Sequence, residues 1–122
     1  MDLKEMIKGA VTGTGEITEA VMSTTKDVIA EGSHDILDVF KAVIDLGAEG
    51  VLDVTKAVEG VFVGSVNALK ESGKSTEQAI GEVTTEAEKA VGDIAEQGEE
   101  SVGNAAKKGI EQAKEIVKKP LE

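Results

Sequence analysis

Apolar residues return along this chain at intervals of three, four and four. Counting eleven at a time from Leu3, one column reads Leu3, Thr14, Thr25, Ile36, Gly47, Val58, Leu69, Ile80, Val91, Val102 and Ala113. Three positions on, a second column reads Met6, Ile17, Val28, Val39, Gly50, Val61, Ser72, Val83, Ile94, Ala105 and Ile116. The position just before that second column is acidic in nine of eleven steps, from Glu5 through Asp38 and Glu82 to Glu115. An eleven-residue step fits three turns of α-helix, so each period keeps one apolar stripe on one face and an acidic column roughly opposite. Strands need a period of two and are excluded by the same count. The pattern predicts an all-α antiparallel bundle of long amphipathic helices built from eleven 11-residue repeats.

Turn chemistry divides the pattern. "ESGKSTEQ" offers Gly73 as a stop, Ser75 as an N-cap and Gln78 three residues later as its capping-box partner. Gly32 and Ser33 give a stop and a cap, as do Gly13 and Thr14, and Asp2 with Glu5 opens the first helix. Helices are expected near 2–12, 14–31, 33–71 and 75–119, with a weaker interruption at Gly47 and Gly50. Helices 33–71 and 75–119 match in length and are expected to form a hairpin turning at Gly73. Segment 33–71 carries extra apolar residues beside the stripe, among them Phe40, Ile44 and Phe62, so its helix should be the most buried. The packing stripe is read as Ile36, Val39, Val43, Val54, Val58, Val61, Leu69, Ile80, Val83, Val91, Ile94, Val102 and Ile116.

Composition narrows the core. The chain has 122 residues, one domain's worth (1–122), and its only aromatics are Phe40 and Phe62. Leu121–Glu122 reads as a cloning remnant. Fourteen glycines against one proline means that many glycines sit inside helices, where each costs about 0.8–1 kcal/mol relative to alanine. Gly81, Gly92 and Gly103 share one column, and Gly98 and Gly109 fall in the stripe. Close approach of another helix, or folding against a surface, would account for them.

Charge and chemistry mostly exclude. The net charge is −11, all thirteen basic residues are lysine, and nucleic acid is not an expected partner. Residues 107–122 hold five lysines against three acids, which suits a helix C-terminus. Without cysteine there are no disulfides, the start "MDLKEM" lacks a signal-peptide pattern, and the longest uncharged apolar stretch is too short to span a bilayer. A cytoplasmic location is the expectation. "SGKST" (Ser72 to Thr76) invites a phosphate-loop reading, but Ala68 stands where that motif needs glycine and a helix precedes it. Glu31 and His34 have the ExxH spacing of di-metal helical bundles, yet His34 is the only histidine and Gly32 interrupts the helix between them. No metal, cofactor or catalytic residue is expected, and the chain reads as non-enzymatic.

Eleven-residue amphipathic repeats without gaps resemble those of synucleins, group 3 late-embryogenesis-abundant proteins and exchangeable apolipoproteins. "VEGVFVGS" (Val58 to Ser65) is similar to the synuclein repeat with its KTKEGV core, and "AEGVLDV" (Ala48 to Val54) echoes it. The lysine-rich lead of that motif is missing here. The resemblance implies amphipathic helices that meet a lipid or other hydrophobic surface. Beside it, the residues themselves point first to a structural or interaction bundle whose partner is itself or another helical protein. A reversible surface coat and a stress-protectant that folds on drying are the alternatives.

Overall fold

The computed structural model describes residues 2–118, and every described element is helical. In chain order these are α1 (Leu3–Thr14), α2 (Ile17–Glu31), α3 (Ile36–Ala48), α4 (Val54–Glu71), α5 (Thr76–Glu96) and α6 (Glu100–Lys118). The all-α bundle stands. Its long helices do not: the expected 33–71 rod is two helices that pack on each other, and the expected 75–119 rod is also two. The expected end at 119 and the Leu121–Glu122 tail lie outside the described residues.

Local chemistry explains the extra breaks. Gly50 adopts φ +79°, a left-handed conformation that glycine enters without a Cβ clash, and the next N–H, of Val51, donates back to the Leu46 carbonyl at 2.9 Å. Asp53 then caps α4 by accepting from the Lys56 N–H at 3.1 Å. Gly98 does the same at φ +85°, with Glu99 N–H reaching the Ile94 carbonyl at 3.3 Å. Gly98 is therefore a turn residue, not a member of a buried stripe. The turn at Gly73 and the reciprocal capping box of Ser75 and Gln78 form as expected. Two boundaries shift. Asp35, not Ser33, caps α3 by accepting from Asp38 N–H at 2.9 Å, while the Ser33 hydroxyl donates to the Val28 carbonyl. The first turn uses Gly15, whereas Gly13 and Thr14 end inside α1.

Helix α4 is the centre of the molecule, packed by α2, α3, α5 and α6. Its sequence is rich in valine and glycine, a poor helix former in isolation, so tertiary burial must hold it in this form. Ten of its eighteen residues are buried, on all sides, including Val58, Val61 and Phe62 at 0% exposure. Fully burying one such side chain contributes about 1.5–3 kcal/mol. The expectation that segment 33–71 is the most buried holds for α4 and for α3, where Val39, Phe40, Val43 and Leu46 are fully enclosed.

The largest helix–helix contact is one that the expected hairpin did not include, between α2 and α4. Gly60 lies beside Thr18, Val21 and Met22, and Gly64 beside Met22 and Thr25, so contacts advance together and the two helices run parallel. Short connections reverse the chain between consecutive helices, which brings alternate helices into the same direction.

Most of the expected stripe is consumed inside this bundle. Val39, Val43, Val54, Val58, Val61, Val83, Val91 and Ile94 are buried, and Ile36, Leu69, Ile80 and Val102 pack against them half-buried. Ile116 is the exception, at 40% exposure. The buried face of α6 is Gly103, Ala106, Gly109, Ile110, Ala113 and Val117, all within one helical stripe. Because the turn at 97–99 separates α6 from α5, α6 docks in its own phase and Ile116 turns outward.

Candidate functional site

The residues with the most chemistry on paper do not converge. His34 sits half-buried between α2 and α3, in an open cleft of about 820 Å³ whose walls include Ile29, Asp35, Asp38, Glu82 and Glu86. Glu31 ends α2 and Gly32 turns left-handed, so the ExxH pair is split between a helix and a turn. Among the described residues no three His, Asp or Glu side chains come together in a way that could hold a metal ion. In "SGKST", the Lys74 ammonium reaches the Glu82 carboxylate at 2.7 Å, and Ser75 is occupied by its capping box. That stretch is a helix–turn–helix joint in which Ser72, Lys74 and Ser75 are already partnered.

What the fold builds with care is a set of backbone-close helix contacts. A Cβ placed on Gly60 would stand 2.6 Å from the Thr18 carbonyl oxygen, and one on Gly64 would stand 2.6 Å from that of Met22. On the opposite flank of α4, a Cβ on Gly109 would meet the Thr55 carbonyl oxygen at 2.5 Å. Those separations are shorter than any real Cβ tolerates, so only glycine allows α2 and α6 to approach α4 this closely. The proximity lets side chains cross-link the helices. Thr18 Oγ1 donates to the Lys56 carbonyl at 3.3 Å, and Thr55 Oγ1 donates to the Ala105 carbonyl at 3.0 Å. Gly47 plays the same part at the α3–α4 turn, where a Cβ would fall 2.6 Å from that of Val54. The sequence columns marked glycines for close packing in the last helix; Gly109 fits that reading, but the tightest pair, Gly60 and Gly64, lies in α4. Their GxxxG spacing was the available signal.

The same tightness leaves some polar groups stranded. Thr25 Oγ1 and Ser65 Oγ are fully buried on α2 and α4 with no hydrogen-bond partner among the described residues. A buried hydroxyl without a partner costs about 1–3 kcal/mol, which the surrounding packing must offset.

Charged residues stay at the surface and tie neighbouring helices together. Lys4 pairs with Glu49 and Lys26 with Glu71, each at 2.5 Å, and Lys41 reaches Asp93 at 3.0 Å. The Glu49 hydrogen bond raises the Lys4 pKa above its usual value, and the Lys4 ammonium holds Glu49 below the usual carboxylate range. Hydrogen bonds to Glu71 and Asp93 likewise raise Lys26 and Lys41. All these groups are exposed, so the pairs orient helices and add little to stability. Among the described residues no helix is long and apolar enough to cross a membrane. Compared with known protein families, curated proteins and solved structures, the chain matches none.

Proposed function

We propose that this chain is a non-enzymatic structural or interaction module, an amphipathic helical bundle that closes on itself in water and presents its outer helix faces to a protein partner. The observation that carries the reading is the enclosure of α4, whose apolar residues are covered by four neighbouring helices of the same chain. A helix that coats a lipid surface needs its apolar stripe free, and here that stripe is used in the core. The charge agrees: 24 acids oppose a negative surface, and lysines do not line both sides of the stripe.

Circular dichroism and light scattering test the reading, first in buffer and then with neutral and anionic vesicles. The expected result is a cooperatively melting helical protein in buffer, with helicity unchanged by either vesicle. Helicity that arises only with vesicles would replace this reading with a reversible coat, and helicity that arises only on drying would replace it with a stress-protectant.

A further inference from the structure

We propose that a second copy of this chain docks along the groove between α5 and α6, with α5 of each copy lying over α6 of the other. This rests on the reading of the chain as an interaction bundle and names the surface and the partner. The groove holds about 410 Å³, and Val91, Gly92, Ala95 and Ile110 contribute its apolar lining. Its rim carries Glu88 and Glu111 of one sign and Lys107 and Lys114 of the other. Among the described residues none of these four charges is in an ion pair.

Charge selects the occupant. At −11 the chain repels its own copies over most orientations. At the groove α5 contributes the acid Glu88, whereas α6 contributes Lys107 and Lys114 against the single acid Glu111. A two-fold arrangement sets the acidic helix of each copy on the basic helix of the other, and the favourable contact forms twice. The area is adequate. Each helix runs roughly 30 Å, and a helix pair is about 18 Å wide, giving on the order of 1,000 Å² buried by two copies, the lower edge for a specific interface. Gly92 adds room for backbone approach. A Cβ there meets nothing within 4 Å, unlike Gly60, Gly64 and Gly109, whose neighbours are already in place.

Sedimentation velocity on the full chain at low salt, from about 10 µM to about 1 mM, tests the proposal. A reversible monomer–dimer equilibrium is expected. Lys107→Glu with Lys114→Glu should weaken it at least about tenfold, and so should Glu88→Lys with Glu111→Lys. An equimolar mixture of those two double variants should restore a dimer. Lys8→Glu with Lys70→Glu changes net charge by the same amount away from the groove and should weaken dimerisation much less. Gly92→Gln projects a side chain into the groove from a helix-compatible position, so it should keep helicity and melting while abolishing the dimer. A cooperatively folded chain that stays monomeric at the highest concentration overturns this inference and leaves the proposed function standing. So does a mixture that fails to restore the dimer, or a control that weakens it equally. Loss of helicity in buffer instead overturns the proposed function itself.

Discussion

Helices α4 and α5 each contain two interior glycines, and the two pairs have opposite surroundings. Gly60 and Gly64 in α4 lie against the backbone of α2, closer than any side chain would permit. Gly81 and Gly92 in α5 are exposed and have nothing within 4 Å. Both pairs bear the same helix-propensity cost, about 0.8–1 kcal/mol per residue. In α4 the cost is offset by dispersion contacts and by the buried apolar face that close approach allows. In α5 the chain itself supplies no such offset at the glycines, and half of the side chains that α5 buries are alanines, Ala79, Ala87 and Ala90. Glycine content alone therefore does not report packing; the neighbouring surface decides what each glycine does.

The comparison can be broken most severely at its centre. Val61→Asp puts a charge where exposure is 0%, and is expected to unfold the protein or cost about 3–5 kcal/mol in thermal or urea denaturation. Lys56→Asp, on an exposed position of the same helix, should leave the melting curve nearly unchanged. Equal loss from both would mean that α4 is not enclosed in the way described.

Next come the glycines themselves. Gly60→Ala and Gly64→Ala should each destabilise by about 1–3 kcal/mol, because the new methyl meets backbone and not a yielding side chain. Gly81→Ala and Gly92→Ala should do the reverse and stabilise by up to about 1 kcal/mol each. Denaturant midpoints read all four on one scale, and the same sign at both pairs would remove the distinction between α4 and α5.

The smallest effect belongs to the surface ion pairs between helices. The lowered pKa of Glu49 contributes stability above its unfolded value that disappears as pH falls through the folded value. The raised pKa of Lys4 contributes stability below its unfolded value that disappears as pH rises through the folded one. Glu49→Gln should therefore flatten slightly the pH dependence of the melting temperature at both extremes, and high salt should mimic it in the wild type.

Much of the fold was legible in the sequence, and the reasons are local. Asp2, Gly32, Gly73 and the Ser75–Gln78 pair carry their own hydrogen-bonding logic within a few residues, and each forms a helix boundary where it stands. Gly50 with Asp53 carried comparable information, but an unbroken stripe argued for continuity, and the turn chemistry won because α3 and α4 gain more by packing together than by continuing. The break at Gly98 is followed directly by Glu99 and Glu100, neither a favoured N-cap, so the sequence left the start of α6 unmarked. Ile116 was misplaced for the same reason, since a helix that restarts after a turn is free to choose its buried face. The parallel α2–α4 contact was beyond periodicity, which ranks faces within a helix but does not say which helix meets which. Chemistry at His34 and "SGKST" was judged from missing partners, and their surroundings here are a cleft wall and a capped turn.

The central claim, that α4 is locked into a closed core while α5 is the more loosely held outer helix, is tested most directly by native-state hydrogen exchange followed residue by residue in buffer. Amides from Ala57 to Ala68 in α4 should exchange only through global unfolding, with those of α2 facing them close behind. Amides around Gly81 and Gly92 should exchange at distinctly lower opening free energy and independently of denaturant at low concentrations. Protection in α5 equal to that in α4, or rapid exchange throughout α4, would contradict the account.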